Sequence, residues 1–263
     1  MIFIGERING LQPKIYKFLL NKDREAIQQL ARKQAEAGAA YIDLHVGTAW
    51  LRPSEIMAWL VETVQAAVSA PLALDSRRLD VMEAGLRVCR NPAMINSTSG
   101  EKEKVDRFMD LAARYGAAIV GITMDEQGIP PHAVGRVAIA KRIMDFADTY
   151  GISRDRLYLD PVVLPLKFSQ SQGPIILEAI RQIAWEKNPP HIIVGLSNVS
   201  HGTKERKLIN RTFLAMGVAC GLDAVIADVL DSQLMEAAKA AEIILERQLY
   251  SDHFLKEVKK EVA

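Results

Sequence analysis

The sequence predicts an α/β chain folded as a (β/α)8 TIM barrel, and three observations carry that prediction. Eight short apolar runs are each followed by a stretch of helical periodicity. No shift in composition divides the 263 residues, a length that one such barrel uses whole. Three helix ends meet the next strand through the same device, Ala37-Gly38-Ala39, Tyr115-Gly116-Ala117 and Cys220-Gly221-Leu222, with glycine supplying the left-handed cap. An open doubly wound sheet would use similar units, but no glycine-rich phosphate loop follows the first strand.

In chain order, the first strand covers 2–4 and runs into Gly5-Glu6-Arg7-Ile8-Asn9. Helical spacing over 24–37 stops at Gly38, and a strand over 40–44 follows. Ser54 with Glu55 opens a helix to about residue 68, and the third strand, 71–74, closes on Asp75-Ser76. A helix over 77–88 leads to a strand over 93–95 that closes on Asn96. Thr98-Ser-Gly-Glu101 has capping-box spacing and is expected to start the next helix.

The fifth strand, 117–122, passes through Gly128-Ile-Pro-Pro131 to a helix over 134–150. The sixth, 157–159, closes on Asp160-Pro161 and is followed by a helix over 174–185. The seventh, 191–194, ends abruptly in the small and polar run Gly195-Leu-Ser-Asn-Val-Ser-His201. A helix over 207–220, a strand over 224–227 closing on Asp228 and a helix over 233–247 complete the pattern. Residues 249–263 read as a charged amphipathic tail able to form one more helix, so the expectation is a single domain over 1–263.

Composition excludes several classes. With 33 Lys and Arg against 32 Asp and Glu, the chain has no global field to draw nucleic acid or an anionic membrane. Cys89 and Cys220, both expected inside helices, lack neighbours with metal-ligand spacing and read as buried free thiols in a reducing compartment. The apolar start, Met1-Ile-Phe-Ile4, meets charge at Glu6 and is too short for a leader or a membrane span. A cytoplasmic protein is expected.

The strand ends carry the functional signal. Glu6, Asp43, Asp75, Asn96, Asp160, Asn198 and Asp228 all fall where a strand stops, on the face where such barrels bind ligands. Singly, each could cap a helix or order a turn. Together they repel one another unless something fills the space between them. A metal is the poorer filling, since neutral amides bind metal weakly and histidines are sparse: His45 follows a strand end, while His132 and His201 lie in loops. A heterocycle rich in N–H donors and acceptors, such as a pterin, suits Asp and Asn better.

Gly5-Glu-Arg-Ile-Asn9, Asp75-Ser76, Met94-Ile-Asn-Ser-Thr98, Asp160-Pro161, Gly195-Leu-Ser-Asn-Val-Ser200 and Ile209-Asn-Arg-Thr-Phe-Leu-Ala-Met216 resemble the methyltetrahydrofolate:corrinoid protein methyltransferases. Their pterin-binding barrel is related to the folate domain of cobalamin-dependent methionine synthase and, more distantly, to dihydropteroate synthase. The resemblance implies methyl transfer between N5 of a tetrahydrofolate and the cobalt of a corrinoid (cobalamin) carried by a partner protein. It implies that Asp75, Asn96 and Asp160 hydrogen-bond the pterin, with Ser197 beside them, and that Asn198 contacts N5 as the catalytic residue. Glu6, Asn9, Arg206, His201 and Asp228 are candidates for rim or folate-tail contacts. No metal is implied, and a homodimer is. A dihydropteroate synthase-like pterin enzyme and a non-catalytic folate-binding protein are the alternatives.

Overall fold

The computed structural model describes residues 1–250, and the expected tail lies largely outside the described residues, over 251–263. Eight parallel strands, β1 (Ile2–Asn9), β2 (Tyr41–His45), β3 (Leu72–Asp75), β4 (Met94–Ser99), β5 (Ala118–Ile122), β6 (Leu157–Asp160), β7 (His191–Gly195) and β8 (Ala224–Ala227), close on themselves in sequence order. Helices α1 (Pro13–Leu20) and α2 (Arg24–Glu36) follow β1. Then α3 (Pro53–Gln65), α4 (Leu79–Val88), α5 (Lys102–Tyr115), α6 (Ala133–Thr149), α7 (Gln172–Ala184), α8 (Arg206–Cys220) and α9 (Ser232–Ile244) alternate with the strands.

Alternation along each strand sorts the core into two shells. Ile4, Ala73, Met94, Val120, Tyr158, Ile193 and Ala224 point inward and fill the barrel. Their neighbours, among them Ile42, Leu44, Leu74, Ile95, Leu159 and Val194, point outward and pack beneath the helices. The same alternation places Glu6, Asp43, Asp75, Asn96 and Asp160 on inward positions, above the apolar plug.

Local chemistry sets the boundaries. Asp23 and Asp231 cap α2 and α9 by accepting from the N–H groups of Ala26 and Leu234. Gly116 and Gly221 end α5 and α8 at φ 61° and 113°, as their sequence context indicates.

Several expectations are corrected. α1 lacks any counterpart in the sequence reading; Pro13 starts it, and Ile15 and Leu19 bury its inner face. β1 and β4 each run three residues beyond Glu6 and Asn96, with a register shift against a neighbour between Gly5 and Ile8 and between Asn96 and Thr98. Thr98 and Ser99 therefore belong to β4 and form no capping box; Glu101 is the residue before α5, without a side-chain cap. Cys89 lies just past α4 as its C-cap, Cys220 ends α8, and both are half-buried free thiols. α9 stops at Ile244, short of residue 247.

Candidate active site

The carboxyl ends of the strands hold one connected polar basin. Asp75 stands beside His45 on β2 and Asn96 on β4 in the strand register. Asn96 is buried, and its amide donates to the Asp43 carboxylate at 3.0 Å. Asp43 lies one pleat below the rim, since β2 continues to His45, and it is almost wholly buried. It thus sits one inward position below Asp75, its neighbour across the β2–β3 ladder being Ala73. The spacing Tyr41, Asp43, His45, all on the inward side of one strand, is the signal that identifies it.

Burial governs the carboxyls. Desolvation raises Asp43 well above the ordinary range, helped by the negative charge of Asp75, with the Asn96 hydrogen bond opposing. Asp75 is raised by burial against the pull of His45 and Arg77. Asp160 is pushed up to about 6 by burial, although the N–H groups of Val162 and Gly195 and the charge of Arg136 favour its ionised form. Glu6 is raised by burial, while the hydroxyl of Ser197 donates to it. Four carboxyls short of hydration, with an amide among them, form a surface prepared to accept N–H groups from a flat ligand.

The loop after β7 overhangs this basin. Leu196–Asn198 is a single turn of 3-10 helix, which leaves Asn198 exposed at the mouth and directly above Gly195. A Cβ at Gly195 would fall 3.0 Å from the Asn198 side-chain nitrogen, so glycine there gives the amide its seat. Arg206, at the start of α8, holds this loop by donating to the carbonyl of Ser197 at 3.0 Å and to the hydroxyl of Ser200 at 3.2 Å.

The remaining candidates divide. Asp228 pairs with Arg7 at 3.2 Å on the β1–β8 side of the mouth, near Glu6. His201 is exposed in the loop after Asn198. Asn9 is occupied locally, accepting from the N–H of Leu11 at 2.9 Å, and its geometry is that of a turn residue. Arg78 is drawn to Asp80 at the start of α4, whereas Arg77 is exposed beside Asp75. Among the described residues, no group of three or more His, Cys, Asp or Glu side chains is disposed to hold a metal ion, and no helix is long and apolar enough to cross a membrane.

The chain is 34% identical over 250 residues to the methylcorrinoid:tetrahydrofolate methyltransferase of Eubacterium limosum, covering 93% of this chain and 91% of that protein. It is 28% identical over 242 residues to the methionine synthase of Mycobacterium leprae, covering 86% of this chain but 20% of that much longer protein. In three dimensions it is similar to dihydropteroate synthase from Thermus thermophilus, with a TM-score of 0.64 over 95% of this chain and 94% of that one, at 21% identity. Residues 5–228 match the family described as pterin binding enzyme, and this chain belongs to that family.

Proposed function

We propose that this chain is a methyltransferase that moves a methyl group between N5 of a tetrahydrofolate and the cobalt of a corrinoid held by a separate protein. The observation that carries the reading is the joining of two things. A basin of Asp75, Asn96 and Asp160 lies beneath an exposed Asn198, in a barrel that is similar over 93% of its length to a methylcorrinoid:tetrahydrofolate methyltransferase. The likeness to dihydropteroate synthase bears on the fold alone.

In this reading the carboxylates of Asp75 and Asp160 accept N–H groups of the pterin, and Asn96, held by Asp43, offers a donor and an acceptor together. Asn198 contacts N5. A tertiary amine is a poor leaving group, so N5 must gain a proton or a strong hydrogen bond as its methyl departs. An amide stabilises that developing charge without titrating itself. The corrinoid supplies the cobalt that takes or gives the methyl group; this chain's residues bind and orient the folate and manage charge at N5. Glu6, with Ser197 on its carboxylate, is a further group poised to hold a proton near the mouth.

The name of the Eubacterium limosum relative supports transfer from methylated corrinoid to tetrahydrofolate as the physiological direction, and both directions share one transition state. We read 1–263 as one domain, because the barrel takes in every strand of the described residues. Exposed Trp185 just past α7, Met216 on α8 and Ile244 at the end of α9 support a homodimer. Two free thiols support a reducing cytoplasm.

The test is a spectroscopic assay of cobalt(I) and methyl-cobalt forms, with methyltetrahydrofolate on one side and tetrahydrofolate on the other. Exchange in either direction is expected. Folate binding without exchange in both would leave a non-catalytic binding protein in its place.

A further inference from the structure

Arg136 is the largest of the fully buried side chains and is 0% exposed. It rises from the first turn of α6 into the space beneath the loop that follows β6. Its donors are spent on neutral acceptors: Nε on the carbonyl of Pro130 at 3.1 Å, Nη1 on the carbonyls of Pro161 at 2.7 Å and Val162 at 2.9 Å, and Nη2 on the side-chain oxygen of Gln172. Among the described residues no carboxylate lies within ion-pair distance of it. A guanidinium taken out of water without a counter-ion carries a large desolvation cost, and a helix surface facing a sheet is ordinarily filled with aliphatic side chains at no such cost. The position therefore asks for a reason.

The reason lies in what the guanidinium holds. Val162 has φ 64°, a left-handed backbone that a β-branched residue rarely adopts. Two groups hold it there: Arg136 on its carbonyl and the Asp160 carboxylate on its N–H, at 2.7 Å. The turn from Asp160 to Val162 is thus a clamp with the guanidinium at one end and the carboxylate at the other. Around Asp160, β5 contributes Ile122 beside it and the Thr123 N–H on its backbone carbonyl, and β7 contributes the Gly195 N–H, none of them titratable. Arg136 is the charged group whose field acts on Asp160.

We propose that Arg136 is a positioning residue of the pterin site, which orients the Asp160 carboxylate through the Pro161–Val162 turn and supplies the buried positive charge that Asp160 needs to receive folate as an anion. This rests on the reading of Asp160 as a pterin ligand. Gln172, at the start of α7, completes the arrangement by taking the outer edge of the guanidinium while remaining neutral. A carboxylate in its place would pair with Arg136 and cancel its field at Asp160.

The sign of the effect follows from the chemistry. A ring N–H bonds an ionised carboxylate more strongly than a neutral acid, so folate binding is expected to weaken as pH falls through about 6, where Asp160 takes up a proton. Cancelling the field of Arg136 raises the Asp160 pKa, and binding then fails at a higher pH.

The experiment measures tetrahydrofolate affinity by calorimetry between pH 5 and 8, a range of about three units around the titration. The proteins are the native enzyme, Arg136→Met, Arg136→Lys, Gln172→Glu and Asp160→Asn. The native midpoint should vanish in Asp160→Asn. It should move up by about one pH unit in Arg136→Met and Gln172→Glu, with affinity at pH 6 falling about fivefold, and return toward the native value in Arg136→Lys, which keeps the charge. A merely structural Arg136 would lower affinity equally at every pH.

Should Arg136→Met fail to fold, Gln172→Glu carries the test alone, since it retains the guanidinium and its bonds to the turn. The same variants titrated without folate, by carbon NMR of the aspartate carboxyls with Asp160→Asn identifying the resonance, report the Asp160 pKa directly. That readout stands even if folate does not bind, so loss of the functional reading and loss of this proposal are distinguishable. An Asp160 titration unchanged in Gln172→Glu and Arg136→Met overturns the proposal. So does a folate-binding midpoint that persists in Asp160→Asn.

Discussion

The amide of Asn96 on β4 donates to the carboxylate of Asp43 on β2 at 3.0 Å, passing across the inside of the barrel and skipping β3. Residues of alternate strands meet at one level in a closed barrel, which is why two positions 53 apart in sequence become neighbours. The bond fixes the rotamer of Asn96 and so decides which of its edges faces a ligand. It also leaves a carboxyl group in a place where its charge is poorly hydrated.

That burial has a consequence for stability. Asp43 has a native pKa raised above that of the unfolded chain, so its penalty is present in full above the native pKa and disappears as pH falls below the unfolded value of 3.8. Asp43→Asn, which keeps an acceptor for Asn96, should therefore stabilise the ligand-free protein at pH 8 and leave it unchanged near pH 4, a range of about four units across the titration. Urea denaturation at both values checks this. A variant that is less stable at pH 8 would show that the carboxylate earns its place through a contact other than Asn96.

Asp75→Ala and Asp160→Ala should each weaken folate binding by about 1–3 kcal/mol, because a ring N–H would be left unpaired in a desolvated basin. Calorimetry of the two variants gives the answer directly. Unchanged affinity in both would reduce these carboxylates to strand-end caps.

Asn198→Ala should slow methyl transfer by about ten- to a thousandfold, or about 1.4–4 kcal/mol, as for loss of one preorganised hydrogen-bonding group. Folate affinity should fall less than the rate constant, since the interaction strengthens only as charge gathers on N5. Asn198 is exposed in the free protein, and among the described residues its amide has no hydrogen-bond partner, so the truncation should cost the fold little. Single-turnover transfer at saturating folate, set beside an equilibrium titration, separates the two. Equal losses with the saturated rate untouched would show that Asn198 only positions the pterin.

Ser197→Ala removes the hydroxyl that favours the ionised form of Glu6. The Glu6 pKa should then rise further above its ordinary value, and any limb of the methyl-transfer pH profile that belongs to Glu6 should move to higher pH. A Ser197→Ala profile superimposable on that of the native enzyme, with Glu6→Gln showing an altered one, would rule out this coupling.

Gly10→Ala tests how the loop after β1 meets the loop after β2. A Cβ at Gly10 would fall 2.3 Å from the carbonyl oxygen of Val46 and 2.8 Å from the nitrogen of Gly47, backbone that cannot rotate away. The variant should lose about 1–3 kcal/mol of stability by overpacking, read from its denaturation midpoint. An unshifted midpoint would mean that the two loops part freely, and with them the seat of His45, whose Nδ1 accepts from the N–H of Gly47 at 3.0 Å.

What the sequence by itself determined is the periodic part. Alternation in runs such as 72–75 and 157–160, helical spacing in runs such as 102–115, and glycines after 115 and 220 are local signals, and local signals suffice for strand, helix and order. They also placed Asp75 and Asp160 at strand ends, because the end of a strand is where apolar alternation stops, whereas Asn96 lies three residues inside β4 and Asn198 three residues past β7. The tertiary structure decided the rest. The register shifts in β1 and β4 depend on the neighbouring strand, so the extension to Asn9 and Ser99 had no local sign. Asp43 reads as one more rim residue; that β2 runs on to His45, and that Asn96 of β4 meets Asp43, depend on the neighbouring strands. Arg136, between Gly135 and Val137, has no sign of its burial in its sequence context; that burial follows from where α6 lies against the loop after β6, a distance no periodicity encodes. Charge and polarity at single positions were legible, but which of them lose their water is settled only when the barrel closes.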